Sequence, residues 1–177
     1  MSNMQINVAQ LLKEPTGSSR TMALDHTVCL EQNEASHVCG QAELLRVAKG
    51  VLVRGTFTVE RQLICSRCLT LFPQALVFSA EEEFCPSIDV ISGNTLPLPE
   101  DSTTFTIDEH HILDMTELVR QYSLLAAPMK PLCKPDCAGL CPHCGADLNR
   151  KPCHCTANIE TPFSVAFNKL KSARKSR

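Results

Sequence analysis

The sequence predicts an α+β protein: a mostly antiparallel β-sheet with one or two helices, followed by a cysteine-rich C-terminal module. Three observations carry this expectation. Apolar residues alternate along much of the first eighty positions, a stretch near residue 120 has helical spacing, and six of the eleven cysteines fall between residues 133 and 155.

Taking the elements in order, Met22, Leu24, Val28 and Leu30 occupy alternate positions with His26 on the same face, the pattern of a half-buried strand from Met22 to Glu31. A second strand is expected near Gln41–Ala48, and Gly50 separates it from a third. In the third, Val51, Val53, Phe57 and Val59 alternate with Gly55 on their face, while Arg54, Thr56, Thr58 and Glu60 take the other. A further β-rich segment runs from about Leu69 to Phe84, and the set reads as a sheet of hairpins. Cys85–Thr104, with three prolines and a Gly-Asn pair, reads as a long loop, and a short strand is expected at Phe105–Asp108. Asp114 and Glu117 have the spacing of a capping box ahead of a helix over 114–127, in which Met115, Leu118, Val119, Tyr122 and Leu125 share a face and which Pro128 ends. A last helix is expected from Thr161-Pro162, with Phe163, Phe167 and Leu170 on one side. The expected division is a β-rich domain over 1–128 and a cysteine-rich module with terminal helix and basic tail over 129–177.

A chain of 177 residues with 44% hydrophobic and 20% charged residues supports one full core plus a small satellite. No apolar run approaches the roughly 18–20 residues of a membrane span, and the N-terminus lacks the basic start and apolar core of a signal peptide. The expected compartment is therefore the cytoplasm, with no membrane partner. In a reducing compartment eleven cysteines are better explained by metal ligation than by disulfides.

Eight of the eleven fall in two clusters. One is the C-x2-C pair Cys65 and Cys68, placed between two strands; the other is Cys133, Cys137, Cys141, Cys144, Cys153 and Cys155. Eight is the number that two tetrahedral four-thiolate sites require, and two thiolates on a tight turn can both reach one ion. Pro142 and Gly145 suit the turn around Cys141 and Cys144, because Gly145 can adopt the positive φ that lets backbone N–H groups approach sulfur. The preferred partition groups Cys141, Cys144, Cys153 and Cys155 as a local site and completes Cys65 and Cys68 with Cys133 and Cys137. A rival partition joins Cys133 and Cys137 to Cys141 and Cys144 and leaves Cys65/Cys68 as a dithiol. About two Zn2+ ions are expected, the module then being zinc-ribbon-like, with iron the competing metal for four thiolates. His143 and His154 lie inside the cluster and are read as spacers, His110-His111 as no metal pair, and Cys29, Cys39 and Cys85 as small buried or half-buried residues. Strand character on both sides of Cys65–Cys68 argues against a thioredoxin-like dithiol, and Glu81-Glu82-Glu83 reads as a solvated strand end. No G-x-G-x-x-G, P-loop, H-E-x-x-H or nucleophile elbow is present, so no enzyme is expected.

Charge is unevenly placed. Residues 1–80 carry a net +1, residues 81–117 a net −10 without a single Lys or Arg, and residues 118–177 a net +7. Lys169, Lys171, Arg174, Lys175 and Arg177 concentrate five positive charges at the end, where they can neutralise RNA phosphates without reading sequence. One Tyr and seven dispersed Phe offer no evident platform for stacking bases.

These motifs resemble the YceD family, the large ribosomal RNA subunit accumulation proteins. The resemblance lies in Ile64-Cys65-Ser66-Arg67-Cys68-Leu69, the helix from Asp114 to Pro128, Pro131-Leu132-Cys133, the run from Asp136 to Gly145, Leu148-Asn149, and Pro162-Phe163 through Leu170; the opening Ile6–Leu12 is similar to some members. It implies a role in accumulation of large-subunit ribosomal RNA, with ribosomal RNA, the assembling large subunit or a ribosomal protein as partner, and supplies no catalytic mechanism. Some members lack counterparts of Cys141 to Cys155 yet keep the Cys65/Cys68 pair with ligand-type residues near Cys133 and Cys137, which implies the first partition. The reading is a non-enzymatic factor in ribosome biogenesis; the alternative is a thiol-redox or metal-responsive regulator.

Overall fold

The structure, a computed structural model, describes residues 4–31, 34–97 and 104–155. It is mostly β. One seven-stranded sheet runs in the order β1-β7-β6-β5-β4-β3-β2, with β1 Gln5–Asn7, β2 Ser19–Glu31, β3 Glu34–Arg46, β4 Val51–Ile64, β5 Leu71–Pro86, β6 Phe105–Ile107 and β7 Ile112–Asp114. All neighbours pair antiparallel except β5 and β6, whose three paired positions, from Phe84↔Phe105 to Pro86↔Ile107, are parallel. Among the described residues two helices complete it, α1 Ala9–Lys13 and α2 Thr116–Ala126. Among the described residues no helix is long and apolar enough to cross a membrane.

Four long strands follow from the alternation in their sequences. On β2, Leu24, Val28 and Leu30 are buried with Met22 and His26 half-buried, and on β4 the buried positions are Val51, Val53, Phe57, Val59 and Arg61. These apolar faces, with Val38, Ala42, Leu44, Ala80 and Phe84, form one core that α1 covers with Leu11 and Leu12 and α2 with Leu118 and Val119. Phe57 and Phe78 stack at 5.7 Å, and Phe78 and Tyr122 at 6.2 Å. Because α2 packs against both β5 and β2, the sheet must curl around it. Gly40 and Gly55 permit that bend: a Cβ on Gly40 would lie 2.2 Å from the Thr56 carbonyl oxygen, and one on Gly55 2.4 Å from that of Gln41.

Arg61 continues the inward face of β4 where the alternation calls for an apolar residue. Its guanidinium donates to Ser123 Oγ at 3.1 Å, so the charge enters the interior with a polar partner on α2. Pro73 interrupts the hydrophobic pattern of β5 but not the strand; β6 pairs with β5 only from Phe84 onward, so near Pro73 the strand has a described neighbour on one side alone. Of the three consecutive glutamates, Glu81 lies opposite Arg54 and Glu82 accepts a 2.8 Å hydrogen bond from Tyr122.

The start of α2 differs from the expected capping box. Asp114 ends β7 and its Oδ1 accepts from the Thr116 N–H at 2.8 Å, while Glu117, instead of reaching back, binds Arg120 at 2.6 and 2.8 Å and Gln121 at 2.8 Å. The helix therefore begins at Thr116, two residues later than expected. At its other end Ala127 is extended, at φ −64° and ψ 131°, as a residue before proline prefers. The long loop after β5 is tightened by Asp89, whose carboxylate accepts from the Ile91 and Ser92 N–H groups, and by a bridge between Ile88 and Thr95.

The described chain divides into two compact units. The first contains residues up to Cys65 together with Thr70–Cys133; the second contains Ser66–Leu69 and the chain from Lys134 onward. The expected terminal helix from Thr161 and the basic residues Lys169, Lys171, Arg174, Lys175 and Arg177 lie outside the described residues.

Candidate metal centres

A C-x2-C turn brings two thiols to one side of the backbone only if the chain reverses sharply after the second cysteine, and both such turns here do so by the same means. The Cys65 N–H donates to the Thr70 carbonyl at 3.0 Å, and the Cys141 N–H to the Ala146 carbonyl at 2.8 Å, five residues on in each case. The residue after the second cysteine is left-handed in both, Leu69 at φ 59° and Gly145 at φ 71°. Gly145 adopts this conformation without strain, whereas Leu69 carries a cost of about 1–2 kcal/mol.

The surrounding supports differ. Cys65 and Cys68 close the β4–β5 hairpin, whose last pair is Ile64↔Leu71. Within the second unit Arg67 of this turn donates to the Cys137 carbonyl at 2.8 Å and accepts from the Leu140 N–H at 3.1 Å, fixing the passage from 137 to 140. Cys141 and Cys144 sit instead in a segment whose regular pairing, among the described residues, is the single bridge Leu140↔Asp147.

The eight clustered sulfurs gather in two fours. Cys65, Cys68, Cys133 and Cys137 form one group and Cys141, Cys144, Cys153 and Cys155 the other; in each, the sulfurs all lie within 4.8 Å of one another. Zn–S bonds of roughly 2.3 Å in a tetrahedron put sulfurs about 3.8 Å apart, so both groups have the dimensions to hold a metal ion. In the first group Cys65, Cys68 and Cys137 are buried and Cys133 half-buried; in the second only Cys141 is buried, and Cys144 and Cys155 are exposed.

The thiols of the second group would titrate very unequally. The N–H groups of Cys144 and His143, aimed at Cys141, and the neighbouring Cys153 thiol bring Cys141 down to about 6. Cys155 is pushed up to about 12, first because it serves as a thiol donor to Cys144, then by burial and by the negative charge its neighbours acquire. Cys153 rises too: the Cys155 N–H favours its thiolate, but Cys141 and burial outweigh that. Four sulfurs this close cannot all ionise by themselves, and a divalent cation removes the conflict. That is how the donor set fits such an ion.

Neither His143 nor His154 belongs to a group of four; both rings are exposed, and what His143 contributes is its backbone N–H. His110 and His111 occupy the β6–β7 turn and belong to neither group. Cys39 and Cys85 are half-buried, but Cys29 is exposed because it falls on the outer face of β2, opposite Ala35. One residue that spacing did not single out enters the site: Asn149, whose Nδ2 donates to Cys137 Sγ at 3.4 Å. Its signal was local, the Asp147-x-Asn149 turn, in which Asp147 Oδ1 accepts from both the N–H and the amide of Asn149.

Comparison with known proteins identifies sequence relatives and a family. Uncharacterized proteins of Mycobacterium bovis and Mycobacterium tuberculosis are each 32% identical to the chain over 124 residues, covering 70% of it and 58% of their own length. An uncharacterized protein of Mycobacterium leprae is 29% identical over 108 residues, 61% of this chain and 48% of its own. The chain thus spans about half the length of the curated relatives it matches. No solved structure matches. The family model of the large ribosomal RNA subunit accumulation protein YceD matches residues 53–172, from within β4 through all eight clustered cysteines, and the chain belongs to the YceD family.

Proposed function

We propose that the protein is a non-enzymatic, zinc-binding factor of the cytoplasm that supports accumulation of large-subunit ribosomal RNA and so ribosome biogenesis. The observation that carries the metal part is the pair of all-sulfur groups, each within 4.8 Å, with no carboxylate among the donors. All-thiolate tetrahedra suit zinc in a structural role, closed to substrate and contributing folding energy. The RNA part rests on the family, which is named for large ribosomal RNA subunit accumulation. A domain over 1–128 and a zinc module over 129–177 remain the proposed functional division.

Charge directs where RNA would be met. A divalent ion with four thiolates carries roughly −2, so the second centre, all four of whose cysteines lie within residues 118–177, offsets about two of the +7 there. The first, which takes only Cys133 and Cys137 from that stretch, adds to this. The surplus then rests with Lys169, Lys171, Arg174, Lys175 and Arg177, which contact phosphates in this reading, while the acidic stretch over 81–117 stays away from the RNA. Elemental analysis of freshly purified protein tests the first part: two zinc ions per chain are expected, and values near zero for zinc and iron together with a stable, reactive Cys65 would favour a thiol-redox regulator. Titration with ribosomal RNA at several salt concentrations tests the second. Neutralising the five basic residues should lower affinity and flatten the log–log salt slope by about four to five units on a duplex, somewhat less on single strands. An unchanged slope would move the RNA link to a ribosomal protein or another partner.

A further inference from the structure

Asn149 stands between the two cysteine groups in a way that neither group requires for itself. It lies in the eight-residue segment between Cys144 and Cys153, two ligand positions of the second group, yet its side chain is spent on the first. Its Oδ1 accepts from the Ala138 N–H at 2.9 Å, and its Nδ2 donates to Asp147 Oδ1 at 2.8 Å and to Cys137 Sγ at 3.4 Å. The orientation of the amide is fixed by its partners: a carboxylate only accepts and a backbone N–H only donates, so the NH2 end must face Asp147 and the sulfur. Asp147 is itself held, through Arg150 and Lys151 N–H groups donating to its carbonyl at 3.1 and 3.2 Å and its bridge to Leu140. Leu148 N–H donates to the Gly139 carbonyl at 2.9 Å, which lays the segment alongside residues 137–140.

An N–H donated to a thiolate removes part of its negative charge without competing for the metal, and so favours the metal-bound form over the protonated thiol. The donor is useful only while the 145–152 segment is closed, and a metal on Cys144 and Cys153 pins both of its ends. We propose that Asn149 couples the two centres: metal on Cys141, Cys144, Cys153 and Cys155 holds Asn149 in place, and Asn149 in turn strengthens metal retention at Cys65, Cys68, Cys133 and Cys137. This rests on the metal reading above. Coupling is reciprocal, so metal at the first centre equally favours the closed segment and retention at the second.

The test is a double-mutant cycle on the full-length chain, using Co2+ as a coloured probe and a competing chelator to measure affinity at the first centre. The variants are Asn149→Ala, Cys144→Ser to disable the second centre, and the two together. Asn149→Ala should weaken Co2+ binding at the first centre about tenfold, the lower end of the effect of removing such an outer partner. Cys144→Ser should weaken it by a similar factor, and the double variant no further than the stronger single change. Asn149→Asp, nearly isosteric and without the amide donor, should match or exceed Asn149→Ala, and serves if the alanine variant folds poorly. Unchanged affinity in Asn149→Ala and Asn149→Asp, or simple addition of the Asn149 and Cys144 effects, overturns the coupling. Absence of any sulfur-to-cobalt charge-transfer band in the unaltered protein overturns the metal reading instead, so the two failures are distinct.

Discussion

At Cys65–Cys68 the C-x2-C turn closes a hairpin of two long strands paired over fourteen positions, from Val51↔Phe84 to Ile64↔Leu71. At Cys141–Cys144 the same turn, with the same N–H to carbonyl closure five residues on, stands in a segment with one bridge, Leu140↔Asp147. Identical local geometry is thus reached from opposite directions. The sheet delivers the first pair of thiols ready-placed and tolerates Leu69 in a left-handed conformation; the second turn has little backbone pairing to rely on and uses Gly145, which needs no such support. A metal at the first group would mainly join distant parts of the chain, whereas at the second it would organise a short segment.

The largest expected effect separates these two roles. Cys65→Ser or Cys68→Ser should release one zinc and raise hydrogen exchange across β4, β5 and the 133–137 segment, because Cys68 and Cys133 are about 65 residues apart and closing that loop removes chain entropy. Cys141→Ser or Cys144→Ser should release the other zinc and loosen mainly residues 138–155. Equal and purely local loosening in both cases would erase the distinction.

A smaller effect exchanges the residues that differ between the turns. Leu69 is 63% exposed, so Leu69→Gly loses little packing, relieves left-handed strain and should stabilise the protein by about 0.5 kcal/mol after the added freedom of the unfolded chain. Gly145→Leu should cost about 1 kcal/mol or more and lower metal affinity at the second group. Urea denaturation of the metal-loaded variants reads both, and opposite signs are required.

The smallest concerns α2. Glu117 is held at about 2 by hydrogen bonds from Arg120 and Gln121. A depressed carboxyl contributes fully above its usual value near 4.5 and loses that contribution as pH falls towards 2. The pair is largely exposed, so Glu117→Gln should cost only about 0.3 kcal/mol at pH 7, and the gap between variant and parent should shrink on acidification. A gap that grew would mean the carboxyl is protonated more readily when folded.

Alternation over Met22–Leu30 and Val51–Val59 was enough to assign both strands and their buried faces, since a one-residue slip would turn every side chain outward. The strands β1 and β7 have three residues each, too few to show a period, and exist through their pairing Gln5↔Asp114, Ile6↔Leu113 and Asn7↔Ile112 across more than a hundred positions. Asp114 was legible as a capping residue but not as the end of β7, which shifted the helix start to Thr116. The cysteine turns were legible because their geometry is local. Asn149 was legible only as part of a local turn with Asp147; its bond to sulfur was not, because Cys137 lies twelve residues away on a separate passage of chain.

The hairpin turn has a consequence for the order of events during synthesis. Cys65 and Cys68 leave the ribosome about 65 residues ahead of Cys133, which at about 5–20 residues per second leaves this thiol pair without its distant partners for roughly 3–13 s. In that interval β4 and β5 can already zip together, a process of microseconds, so the waiting sulfurs stand on a formed turn rather than on loose chain. The chain must therefore pass through a stage with an unfinished pair of thiols on a nascent hairpin, and that stage is when an oxidant or a stray metal ion would do it most harm.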